Sequence, residues 1–198
     1  MNKILTSLPK TIHASLAISI LLFIGLFLNN EGFDIDRIFW SWLFRYIHVV
    51  VAIMWIGLLW YFNFVQIPNM PNIPDEQKPA VSKFIAPKAL FWFRWGAVAT
   101  LATGLILAHL NGYLHDAMTL NTNNAKYFMI GIGMWLGIIM AFNVWAIIWP
   151  NQKKALGIIS VDASEKAAAA KKAMLFSRTN TLLSIPMLYC MVGAQNLY

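Results

Sequence analysis

The strongest constraint on this chain is a set of five long apolar stretches. A helix needs roughly 20 mostly apolar residues to cross the hydrocarbon core of a bilayer. Stretches of about that length run from Thr11 to Leu28, Ile38 to Ile67, Lys88 to Leu110, Ala125 to Trp149 and Leu175 to Ala194. Composition agrees: 59% of the 198 residues are hydrophobic and 12% charged, where a soluble domain carries about 45–50% and about 25%. The expected fold is an all-α integral membrane protein, one bundle of five transmembrane helices filling residues 1–198, with the lipid bilayer as its first partner. Disorder, a collagen-like repeat and a disulfide scaffold are excluded, the last because Cys190 is the single cysteine. No internal repeat and no separate soluble domain is visible.

The second apolar stretch is long enough to tilt or protrude, and Pro186 interrupts the fifth, where a kink is expected rather than a break. Lys3 and Lys10 ahead of the first stretch imitate a signal peptide, but Phe27-Leu28-Asn29-Asn30 offers no small-x-small cleavage site. The expectation is an uncleaved first span.

Charge then sets orientation. The net charge of +7 comes with no basic stripe interleaved with exposed aromatics, so nucleic acid is not an expected partner. Basic residues instead alternate between connections. Lys3 and Lys10 precede the first span; Glu31, Asp34, Asp36 and Arg37 follow it; Lys78, Lys83 and Lys88, with Arg94, come next; Asn111–Asn124 carries Asp116 without lysine or arginine; Lys153, Lys154, Lys166, Lys171 and Lys172, then Arg178, lie in the last. The positive-inside rule places the amino terminus on the cytoplasmic side and the carboxyl terminus on the outer side of the membrane. Two connections read as more than linkers. Gln66–Pro87, with Pro68, Pro71, Pro74, Pro79 and Pro87, is expected to be an ordered extended loop. Ser160–Lys172, with its alanine run, is expected to extend the fifth helix.

Ionisable side chains at membrane depth are functional candidates. Arg45 and His48 lie one turn apart in the second span and share a face with Ala52, Trp55 and Leu59. A neutral imidazole there suits an axial bond to haem iron, Arg45 suits a propionate, Ala52 leaves room for a flat macrocycle, and Trp55 would lie against it. The residues equally allow a histidine hydrogen-bonded to another helix and an arginine reaching lipid phosphate. His109, near the end of the third span, is a candidate second iron ligand if its depth matches that of His48. His13 and His115 are expected bystanders. A second polar set gathers at the opposite ends of the helices: Asn63, Arg94, Asn143, Asn151, Arg178 and Asn180, with Gln66 and Ser177 nearby. It reads either as a pocket for a planar, polar, anionic substrate or as helix capping and lipid binding. Most of the nine tryptophans read as belt or packing residues. Motifs for covalent haem, His-Glu-x-x-His zinc, phosphate-binding glycine loops and serine hydrolase elbows are absent from the sequence.

Four blocks, in order, resemble the amino-terminal membrane domain of bacterial membrane-bound urate hydroxylases. They are Arg45-Tyr46-Ile47-His48 with Trp55-Ile56-Gly57 and Tyr61-Phe62-Asn63; Pro87-Lys88-Ala89-Leu90 with Trp92-Phe93-Arg94-Trp95 and Thr103-Gly104; Asn143 to Lys154; and Ser177-Arg178-Thr179-Asn180-Thr181. The His48–Trp55 spacing is also similar to that of haem-binding membrane protoporphyrinogen oxidases, a more distant likeness. The first resemblance implies an integral-membrane oxidoreductase that takes electrons from a purine and passes them to a cytochrome c. Full-length members carry a c-type haem domain after the last span. This sequence reaches Tyr198 without one, so the expected acceptor is a separate cytochrome c or a larger membrane complex. The expectations are therefore a haem-b-dependent redox protein or, in the alternative, an accessory subunit of a respiratory or photosynthetic complex, or an enzyme like the protoporphyrinogen oxidases.

Overall fold

In a computed structural model of the chain, which describes residues 2–29 and 34–198, every regular element is helical. Asn30 and Glu31, used above for the cleavage site and the acidic connection, lie outside the described residues. The principal helices are α1 (Leu8–Leu28), α2 (Arg37–Trp60), α3 (Ala86–Leu110), the short α4 (Leu114–Met118), α5 (Ala125–Phe142) and α6 (Ala163–Asn196). Four helical stretches are long and apolar enough to cross a membrane: Leu8–Leu28, Arg37–Asn72, Lys78–Leu110 and Ala125–Ala155. The fifth expected span falls inside α6, which is continuous through Pro186. Arg178, Asn180 and the threonines around them dilute its apolar character.

Side-chain caps fix three helix starts. Asp36 Oδ1 accepts from the amides of Ile38 and Phe39 at 2.8 and 3.0 Å, Asn124 from that of Tyr127 at 3.1 Å, and Asp162 from that of Glu165 at 2.8 Å. Each supplies an oxygen to amides that have no partner within the helix. Helix α3 and the short helix Trp149–Ala155 end alike. Gly112 and Gly157, both at φ +75°, turn the chain. The next residue donates back to a carbonyl five positions earlier, Tyr113 to Ala108 and Ile158 to Lys153, as in a Schellman motif.

The proline-rich segment corrects an expectation. Gln66–Pro87 is not an extended loop. Helical structure continues through Tyr61–Gln66, Ile67–Asn69 and Met70–Asn72, and resumes at Lys78–Ala80 and Val81–Ile85. Pro68, Pro71, Pro79 and Pro87 each occupy the first turn of a helical piece, where the fixed φ of a proline already suits the helix. Three of the pieces, Tyr61–Gln66, Val81–Ile85 and Asn143–Ile148, are π-helical. Each stops two residues before a proline: Pro68, Pro87 and Pro150. A proline ring clashes with the carbonyl four residues back, here that of Phe64, Lys83 or Ala146. Each of these lies inside a π-turn, whose wider ring relieves the clash.

The chain divides into two compact units, residues 1–39 and 40–198. In the first, α1 has no buried residue although its sequence is almost wholly apolar, and Phe23 packs on Phe27 and Phe39 with ring centroids 6.2 and 5.8 Å apart. In the second, long helices that are adjacent in sequence run antiparallel. His48 meets Thr100 while Phe62 meets Phe93; Trp95 meets Trp145 while Arg94 meets Trp149; Gly133 abuts Cys190 while Asn143 meets Asn180. Trp60 and Asn63 reach Ser184 and Ser177, so α2 and α6 touch as well. The core between them is built from Trp55, Leu59, Phe62, Leu90, Phe93, Met140, Val144 and Ile148.

Candidate functional site

Helices α2, α3, α5 and α6 leave a cavity of about 570 Å³ between them, within the range that holds cofactors and small ligands. Arg45, His48, Ala52, Trp55 and Trp60 line it from α2, and Thr100 and Gly104 from α3. Ile130, Met134 and Gly137 line it from α5, and Met187, Met191 and Gln195 from α6. From Arg45 to Trp60 the α2 wall is roughly 22 Å long, at about 1.5 Å per residue. Three of the four cofactor candidates thus share one cavity, on the face that the spacing of Arg45, His48, Ala52 and Trp55 indicates. Leu59 lies instead in the packed core.

His48 is held from the neighbouring helix. Its Nδ1 lies 3.0 Å from the Thr100 carbonyl and 3.1 Å from the Thr103 hydroxyl oxygen. A carbonyl only accepts, and the Thr103 hydroxyl already donates to Ala99 O at 2.6 Å, so Nδ1 carries the proton. In the neutral ring Nε2 then keeps its lone pair, and no described group bonds it. Gly104 makes this contact possible: a Cβ there would fall 2.9 Å from His48 Cε1.

The rest of the wall is spacious and mostly apolar. Added Cβ atoms at Gly57 and Gly137 would meet nothing within 4 Å, so the cavity reaches the backbone of α2 and α5. Trp55 Nε1 is a buried donor with no partner. Arg45 has no carboxylate partner among the described residues, whose ion pairs are Lys78–Asp75 and Lys154–Glu165.

His109 does not join this site. It is exposed, in the last turn of α3, nine residues and therefore about half a turn from Thr100. Among the described residues no group of three or more His, Cys, Asp or Glu side chains could hold a metal ion. The cavity also contains a residue that spacing alone does not single out, Tyr113. The Gly112 turn carries it back over the end of α3. The signal in the sequence was the Asn111-Gly112 pair behind a helix.

At the other ends of these helices the second polar set is partly assembled. Asn143 Nδ2 donates to Asn180 Oδ1 at 2.9 Å, and Asn180 Nδ2 to the Met140 carbonyl at 2.9 Å. Asn63 Nδ2 donates to Ser177 Oγ at 2.8 Å and to Leu59 O at 2.9 Å, leaving its Oδ1 buried and unpaired. Arg94 is only 9% exposed. Its guanidinium lies 3.4 Å from the Trp149 ring centroid, a cation–π arrangement, and Nη1 has no partner. Gln66 and Gln152 each add an unpaired buried amide oxygen. Asn151, by contrast, bonds its own helix at Ile147 O, 2.7 Å away, and Arg178 is exposed.

The geometry defines an all-helical protein with membrane-length helices and a cofactor-sized cavity. Residues 115–196 match the model of the urate oxidase N-terminal family, which supports kinship with it. The match runs from α4 to the end of α6, and the helices that carry Arg45, His48 and Arg94 precede it. No curated protein sequence and no solved structure matches the chain.

Proposed function

We propose that the protein is a membrane redox protein related to the urate oxidase N-terminal family, with haem b in the cavity. The observation that carries this reading is the state of His48. One ring nitrogen is tied to a carbonyl and a hydroxyl of α3, and the other is unbonded at the wall of a 570 Å³ space. That arrangement fixes tautomer and orientation for a metal-binding imidazole. The remaining residues fit the same group. Ala52, Gly104 and Gly137 leave room for a flat ring, Met134, Met187 and Met191 offer soft apolar contacts, and Arg45 supplies a positive charge for a propionate. Haem supplies one-electron chemistry when bound. The chain's part is to hold the Nδ1 proton on Thr100, to balance the ligand's negative charge with Arg45, and to exclude water with its apolar walls.

The reductant in this reading is a small planar molecule of purine type, bound at the Asn63–Arg94–Asn180 end. Arg94 there is a buried cation without a counter-charge, and three amide oxygens await donors. A buried charge of this kind gains most from an anionic ligand. Electrons leave from the Arg45 end to an external cytochrome c or partner complex. The positive-inside pattern puts the Arg94 end in the cytoplasm and the Arg45 end in the periplasm, in a five-span bundle of a bacterial inner membrane.

The test is an absorption spectrum of the purified full chain, oxidised and reduced, beside that of a His48→Ala variant. A Soret band that shifts on reduction and is lost or displaced in the variant is the expected result. Protein purified with haem available that shows no such band, or a variant with an unchanged spectrum, overturns the reading.

A further inference from the structure

The end of the cavity at Arg45 holds more than an arginine. Tyr113 lines the same end, is 8% exposed, and stacks on Tyr127 with ring centroids 5.8 Å apart. No described group bonds its hydroxyl. Burial pushes its phenol up from the ordinary value, against the opposing pull of the Arg45 charge, so it remains an O–H donor at neutral pH. Gln195 lies at the exposed rim, one turn beyond Met191 on the lining face of α6. Its neighbour Asn196 also lines the rim, but its amide is taken by Val192 O at 2.8 Å. The acid closest in sequence, Asp116, accepts from Asn121 at 2.9 Å.

We infer that Arg45, Tyr113 and Gln195 form a carboxylate clamp, so that the ligand of this cavity carries a carboxylate at its Arg45 end and an apolar body towards Trp60. Three elements contribute one donor each: a guanidinium from α2, a phenol from the turn after α3 and an amide from α6. Carboxylates are acceptor-only and take several such donors at once. The Tyr113 ring is buried while its hydroxyl has no protein partner among the described residues, so a ligand acceptor there gains a hydrogen bond without breaking one within the protein. Beyond the clamp the walls are mostly apolar as far as Trp60, which suits either a porphyrin with propionates or a long-chain fatty acid. The choice of porphyrin rests on the function proposed above; the clamp does not.

The experiment titrates the purified full chain with haemin, haemin dimethyl ester and a fluorescent long-chain fatty acid, in wild type, Tyr113→Phe and Gln195→Leu. Unfolding midpoints check that the variants fold. A charged hydrogen bond is involved, so wild type is expected to bind haemin about tenfold or more tightly than the diester. Tyr113→Phe should weaken haemin by about the same factor and the diester, whose ester carbonyl is a weaker acceptor, by clearly less; Gln195→Leu acts in the same direction. If wild type binds acid and ester equally, or if Tyr113→Phe weakens both alike, the clamp is wrong. If neither porphyrin binds but the fatty acid does, with the same dependence on Tyr113, the clamp stands and the haem reading falls.

Discussion

Replacing Gly104 with alanine isolates the contact on which the His48 site depends. The new Cβ would stand 2.9 Å from His48 Cε1 and 3.3 Å from Nδ1, closer than carbon atoms pack. The imidazole is the end of a side chain and can swing aside, but only by leaving Thr100 O and the Thr103 hydroxyl, now 3.0 and 3.1 Å away. Overpacking of this kind costs about 1–3 kcal/mol, and the lost hydrogen bond adds about 0.5–1.5 kcal/mol. Alanine also gains about 0.5–1 kcal/mol over glycine in a helix, which confounds the single variant. Gly57→Ala removes the confusion, since its Cβ meets nothing within 4 Å on the same cavity. The difference between the two variants should then be about 1.5–4.5 kcal/mol. It is measurable by denaturant unfolding in detergent, with the histidine ring followed by nitrogen chemical shifts. If the two variants unfold alike and the His48 signals are unmoved, the interlock between His48 and α3 is not what orders this site.

Other outcomes follow from the packing. Asn180→Leu strands the Asn143 amide donor in a buried site and should cost about 1–3 kcal/mol. The double change Asn143→Leu with Asn180→Leu should unfold closer to wild type, and a double-mutant cycle in denaturant measures the difference. Gly131→Ala drives a Cβ into the Ala117 backbone carbonyl, which cannot swing aside. Its cost should reach the upper end of overpacking, about 3 kcal/mol, visible as a lowered thermal midpoint. Asp162 is held below the ordinary carboxylate range, first by the Ser164 hydroxyl and then by the amide of Glu165. A depressed folded-state value means its capping contribution is full above the unfolded value of about 3.9 and is lost as pH falls through the folded one. Hydrogen-exchange protection in the first turn of α6, taken relative to the intrinsic rate at each pH, should therefore fall on acidification, and should not change with pH in this way in Asp162→Ala.

Helix phase explains which parts of this structure could be read from sequence. Arg45, His48, Ala52 and Trp55 recur at helical spacing, and all four reach one cavity. The same rule shows why the second set is only partly assembled: Arg178 and Asn180 are two residues apart on one helix, so they face opposite sides. Asn180 is buried and Arg178 exposed. His109 fails by the same arithmetic against Thr100. What spacing cannot reveal is contact across helices. Thr100 and Thr103 become partners of His48 only when α3 packs against α2, and Tyr113 enters the cavity only because Gly112 reverses the chain. The proline-rich segment departs from expectation for a different reason. Prolines suggest loops when counted, but all except Pro74 sit in the first turn of a helical piece, a distinction of position rather than number.

The paired prolines and π-turns have a consequence for how each long helix meets its neighbours. A π-turn holds one more residue per hydrogen-bonded ring than an α-turn, so the residues beyond it are rotated relative to an uninterrupted helix. Helix α5 lays Gly133 and Met140 along α6, yet after the Asn143–Ile148 turn the same run points Trp149 at Arg94 of α3. The run stays packed on α6 on both sides of the turn, and the azimuth beyond it is what sets Trp149 against α3. Loss of one residue from that turn would restore α-helical spacing and swing Trp149 round by about 100°, uncovering the guanidinium. The proline two residues beyond holds the extra residue in place, because an α-helical return would bring its ring against the Ala146 carbonyl.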